Sequence, residues 1–166
     1  MQRLARAHAF FRRTILVILI LILIPHYVQR WTDDRDRGLD DTIKALQADG
    51  TVTAIKVGRS FPIDKDTFTA ESVYVTPKQI AIAFTFHTKQ KKDVWSFPAV
   101  SLKLVMPDGQ ALDSHDAGVN GTSWGSTGIV SFELPDKAAN HATLVYDLYD
   151  RYGHVEIPLT KAGEGT

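Results

Sequence analysis

The sequence predicts a mainly β chain, an antiparallel sandwich preceded by one transmembrane helix and a short juxtamembrane helix. Three observations carry that prediction. An unbroken Ile/Leu run lies near the start, a helical stripe of apolar residues follows it, and from Thr51 onward apolar residues alternate with polar ones. At 166 residues the chain can bury one core but hardly two, so one folded domain with accessory segments is expected. The absence of Cys excludes a disulfide framework, zinc fingers, thiol catalysis and cysteine-held iron–sulfur clusters.

The charge balance, 19 basic against 19 acidic residues, is a cancellation between two ends. Residues 1–13 hold Arg3, Arg6, Arg12 and Arg13 and no acid, so everything beyond them is net acidic. This segment is expected to be a cytoplasmic basic tail. Residues 14–31 are expected to be a transmembrane signal anchor embedded in the lipid bilayer. Their apolar centre reads TILVILILILIPHYV, about 22 Å of helix at 1.5 Å per residue, and reaching Trp31 extends it to about 27 Å. Arg12 and Arg13 can snorkel at one end, while Tyr27, Arg30 and Trp31 suit the interface at the other. Pro25 is expected to kink the last turn. The excess of Arg before the run places the N-terminus in the cytoplasm and the rest outside. The exit IPHYVQRW lacks the small residues of a cleavage site, which favours an uncleaved anchor over a secretory leader. Arg12-Arg13 followed by Thr14 also has the start of a twin-arginine signal, but the apolar run is too strong for that route.

Residues 32–50 are expected to form the juxtamembrane helix or linker. Leu39, Ile43 and Leu46 lie on one helical face, Asp40 and Asp41 occupy the first turn, and Gly50 stands just past the end. The stripe would dock on the following domain or on the membrane surface. An EF-hand reading of the Asp-rich start fails, because with Gly38 at the sixth place Arg35 and Arg37 would occupy ligand positions.

Residues 51–160 are expected to be the extracytoplasmic β-sandwich, with 161–166 a flexible tail. The clearest strand puts Ile80, Ile82, Phe84 and Phe86 on one face and Ala81, Ala83, Thr85 and His87 on the other. Further strands are expected at 52–57, 68–75, 100–106, 128–134, 142–148 and 154–159. Turns fall at Thr76-Pro77-Lys78, Pro107-Asp108-Gly109, Asn120-Gly121, Leu134-Pro135-Asp136 and Asp150-Arg151-Tyr152-Gly153. Seven closely spaced strands suit an antiparallel sandwich. No internal repeat and no Rossmann or P-loop glycine pattern occurs.

Several stretches carry a family resemblance: Phe68 to Pro77 (FTAESVYVTP), Ile80 to Phe84, Leu104 to Gly109 (LVMPDG) and Val130 to Pro135 (VSFELP). Over roughly Gly58 to Leu159 the chain resembles the immunoglobulin-like extracellular domains of Gram-positive anti-sigma-factor-like membrane proteins. The resemblance implies an immunoglobulin-like sandwich displayed on the cell envelope from one transmembrane helix, with no catalytic residues to carry over. Only residues 1–13 precede the apolar run, so the sigma-binding domain of such proteins is not expected and regulatory function is not implied.

The longest polar stretch, Ala111 to Gly128 (ALDSHDAGVNGTSWGSTG), is expected to be a loop and is the candidate partner-binding segment. Asp113, His115 and Asp116 could offer oxygen and imidazole ligands to a divalent cation, or simply form a solvated loop with a local Asx turn. Asp113-Ser114-His115 has the residue types of a hydrolase triad, but neighbours in an extended chain point apart and a triad must converge from separate segments. Trp124 could anchor a partner or a glycan, or fold back over one end of the sandwich. Lys89, Lys91 and Lys92 could touch an anionic polymer or lipid headgroups; without a wider basic stripe they do not predict nucleic-acid binding.

The expected function is thus a membrane-anchored extracytoplasmic binding or interaction module of the bacterial cell envelope. Its partner would be an envelope protein or wall polymer. No catalysis, cofactor, metal or nucleic acid is expected. The alternative is an accessory subunit of a larger membrane assembly, although the Ile/Leu helix lacks the small-residue pattern of tight helix pairing.

Overall fold

A computed structural model describes residues 13–28, 39–89, 97–122 and 124–160. Residues 13–28 form helix α1, which continues through Pro25 and is exposed along its whole length. It belongs to a unit separate from Gly38–Thr166 and is described by itself. Among the described residues no helix is long and apolar enough to cross a membrane. The expected span of 14–31 extends past α1 into residues 29–31, outside the described residues, as do Arg30, Trp31 and the Asp-rich stretch 32–38.

The second unit opens with helix α2 (Leu39–Gln47) and continues with eight strands: β1 (Thr53–Ile63), β2 (Asp66–Val75), β3 (Gln79–His87), β4 (Leu102–Val105), β5 (Ala111–Thr122), β6 (Gly125–Glu133), β7 (His141–Leu148) and β8 (Arg151–Pro158). A short 3-10 turn, Ala99–Ser101, leads into β4. All pairings are antiparallel, in the order β1-β2-β3-β6-β5-β4-β7-β8. The expectation of seven strands therefore misses one, β5. This strand bends midway: residues 111–113 pair with β4, and from Ser114 onward it pairs with β6, with a register shift between Ser114 and Asp116. A bulge increases twist and bend, which lets one sheet curl into a nearly closed barrel.

The seam of that barrel lies between β1 and β8. Arg59 crosses it, donating to the Glu156 carbonyl at 2.8 Å, and Gly153 lies against the Phe61 ring. Alternation fills the interior. Ile80, Ile82, Phe84 and Phe86 of β3 face Leu102, Leu104, Leu144, Tyr146 and Ile157 from the other half of the sheet. Phe97, from the connection before β4, plugs one end. Its ring lies 4.8 Å from Phe86, 5.2 Å from Phe68 and 5.4 Å from Tyr146. Burying one such ring contributes roughly 2–3 kcal/mol.

Helix α2 packs outside the barrel. Leu46, 3% exposed, rests on Ala81, Ala83 and Ile129, with Val52 and Tyr74 at the margin. Small Ala side chains on the outer face of β3 leave room for a helix there, and Leu46 of the expected apolar stripe docks on the β domain. Gly50 ends the helix at φ 123°, a conformation open to glycine. Asp49 then accepts a hydrogen bond from the Gln79 side-chain amide at 2.6 Å and pairs with Lys78 at 3.4 Å.

Three expected turns stand where they were placed. Thr76 Oγ1 accepts N–H bonds from Lys78 and Gln79 at 3.2 and 3.0 Å. The Gly109 N–H bonds the Met106 carbonyl at 3.0 Å, and Leu134-Pro135-Asp136 follows β6. Two do not. Asn120-Gly121 is strand, opposite Thr127 and Ser126. Arg151 to Gly153 is also strand, and the reversal falls one step earlier on Tyr149-Asp150, both at positive φ (55° and 58°), with Leu148 opposite Arg151.

Candidate interaction surface

The polar stretch singled out from the sequence is mostly strand rather than loop, and this separates its residues. Asp113 stands opposite Lys103 on β4 and pairs with it at 3.2 Å, both side chains in solvent. His115 occupies the bulge and Asp116 stands opposite Ser131; both are exposed. Trp124 sits at the β5–β6 tip, eleven residues from Asp113, about 35 Å along an extended strand. Asp113, His115 and Asp116 therefore do not share a cleft with Trp124. Among the described residues no three His, Asp or Glu side chains gather in a way that could hold a metal ion.

The register that disperses those residues brings others together. Three chain reversals and the end of β3 lie at the pole opposite the β2–β3 turn that holds α2: Asp64-Lys65, Trp124 before Gly125, Tyr149-Asp150, and His87 to Lys89. Each brings an exposed or half-exposed polar or aromatic group. Trp124 stacks on His87, ring centroids 5.7 Å apart and planes 21° apart. The Trp124 carbonyl accepts the Thr88 N–H at 2.8 Å, which ties the β5–β6 tip to the end of β3. Tyr149 is 76% exposed and Tyr152 62% exposed, with the Tyr152 ring 5.5 Å from His154.

The tips are braced from beneath. Arg151 Nε meets Asp64 Oδ2 at 2.7 Å, joining the β7–β8 and β1–β2 tips, and Asp66 Oδ1 accepts the Lys89 N–H at 3.0 Å. Below them lie Phe97 and Tyr146, whose burial pushes the phenol up from its ordinary value. Such bracing presents aromatic side chains at little entropic cost on binding.

Of the four residues expected at a partner site, Trp124 alone belongs to this pole. From the sequence His87 reads as a strand-face residue and Tyr152 as a turn residue. Their convergence depends on non-local pairing that no local motif announces. Lys89 is also here, whereas Lys91, Lys92 and Trp95 lie outside the described residues.

No family model, no curated protein and no solved structure matches this chain.

Proposed function

We propose that the protein is a membrane-anchored interaction module of the bacterial cell envelope, with residues 14–31 as the anchor and the β domain outside the cell. The observation that carries this reading is the polarity of the β domain. α2, the link to the N-terminal segment, is fixed at one pole by Leu46 and Asp49, while the aromatic tips stand at the other. A module whose link to the preceding chain and whose rigid aromatic side chains lie at opposite poles suits contact with a partner. The basic start and Ile/Leu run of the sequence support the anchor.

An immunoglobulin-like relationship is part of this proposal. In such sandwiches one sheet has the order A-B-E-D and the other C-F-G. The order β2-β3-β6-β5 followed by β4-β7-β8 supports the same arrangement, with β1 an added strand. The β3–β4 and β7–β8 connections then correspond to the B–C and F–G loops at the recognition end of variable domains.

The absence of native Cys makes the test direct. A Tyr149→Cys chain on intact cells should react with a membrane-impermeant maleimide to the same extent before and after lysis. Reaction after lysis alone would refute an external β domain.

A further inference from the structure

We infer that the outer face of the barrel beside α2 is a platform for a neutral polysaccharide chain. This deepens the reading above by naming the partner class. Ser60, Thr69, Thr85, Thr127 and Asn120 stand side by side across β1, β2, β3, β6 and β5, each the register partner of the next. They occupy the face opposite the buried Phe84 and Phe86. Five adjacent strands place these polar groups at intervals of about 4.8 Å, a row of roughly 19 Å. The spacing is close to the repeat of an extended chain of pyranose rings.

The next row toward the tips contains Thr67 and His87, paired with each other, and Thr122 at its far end. Over His87 lies Trp124. α2 covers Ala81, Ala83 and Ile129 on this same face and stops short of both rows.

The partner follows from charge and from donor chemistry. The two rows contain no carboxylate, ammonium or guanidinium group, and the nearest cations, Lys56 and Lys89, stand at their margins, so the hydroxyl rows themselves complement an uncharged ligand. Hydroxyls and an amide both donate and accept, as sugar hydroxyls require. Ser60 and Thr69 already share a hydrogen bond of 2.8 Å, which orients them as one rung. The half-exposed Trp124 ring suits the C–H face of a sugar, and its backing by His87 fixes its plane. Cross-strand Thr pairs also stabilise sheets, so the test must separate binding from folding.

The experiment uses the full chain in detergent and measures depletion onto suspended chitin and amorphous cellulose at low and high salt. A polyglycerol phosphate resin serves as the anionic comparison. Retention on at least one neutral polymer, indifferent to salt, is expected. The double variant Thr85→Val with Thr127→Val keeps the branched shape and should weaken retention roughly tenfold with an unchanged thermal midpoint. Trp124→Ala should weaken it further, and Thr143→Val, on β7 in the other half of the sheet, should leave it unchanged.

Three results would overturn the proposal: no retention of the folded chain on either neutral polymer, retention unaffected by the Thr variants, or retention on the anionic resin alone. Failure here with Tyr149→Cys labelled on intact cells would remove the platform and keep the anchored module. Retention with Tyr149→Cys protected would do the reverse.

Discussion

Arg59 on β1 donates from Nη1 to the backbone carbonyl of Glu156 on β8 at 2.8 Å, with the Glu156 carboxylate 3.7 Å from the same nitrogen. β1 and β8 are the two ends of the sheet order, so a side chain bridges where no ladder does. The charge pair is more than half exposed and contributes little by itself. The steric fit beside it matters more.

Gly153 is a close approach across the seam, since a Cβ there would run into the Phe61 ring. Gly153→Ala should destabilise the domain by about 1–3 kcal/mol, read as a lower urea midpoint at unchanged slope. Adding Phe61→Leu should recover part of the loss, because a smaller side chain frees that space. A Gly153→Ala chain as stable as the parent would show that the seam is looser than described.

Leu46→Ala should release α2 while leaving the barrel folded. The side chain is buried on a small cluster of its own, apart from the main core, and its truncation costs about 2–3 kcal/mol. Hydrogen exchange should quicken over residues 41–50 with little change in β3 and β6. Equal quickening throughout would mean that the helix is integral to barrel stability.

Acid should loosen the same junction. The hydrogen bond from Gln79, and after it Lys78, hold the Asp49 carboxyl below its ordinary value of 3.8. A folded-state pKa below the unfolded one gives stability that is present above pH 3.8 and disappears as pH falls through the lowered value. Exchange over α2 should accelerate in that window, and Asp49→Asn should abolish the dependence. A profile unchanged in the variant would assign the acid response to other carboxylates.

At the alkaline end the sign reverses. Burial raises the Tyr146 phenol above its ordinary 10.0, so the folded state keeps a proton that the unfolded chain releases. Stability is intact below pH 10 and declines as pH climbs from there toward the raised value. Thermal midpoints across that range should fall, and less steeply in Tyr146→Phe. Identical slopes would refute the assignment.

Much of the barrel is legible in its alternation, as in Ile80 to Phe86, where one face is fully buried and the other carries small or polar groups. β5 is not, for a physical reason. Its residues are exposed or half-exposed throughout, since the strand turns the corner between the two halves of the sheet. Without a buried face no period of two is imposed, and Asp113, His115 and Asn120 read as loop. The Asn-Gly pair misleads similarly: its preference for positive φ is real, but pairing with Ser126 and Thr127 holds it extended. Conversely, Tyr149 and Asp150 take a conformation that glycine and asparagine favour, so composition pointed one step further along. The outer polar row was invisible because its members come from five strands and meet only through register.

β1 begins beside Val75 and β8 ends beside His141, so the chain enters and leaves the barrel at the same pole. With eight antiparallel strands the chain returns to the pole from which it set out. A reporter fused after Leu159 should therefore sit near α2 and leave the tips and the hydroxyl row unobstructed. By the same geometry, the whole barrel could be grafted into a surface loop of another protein with its two junctions close together.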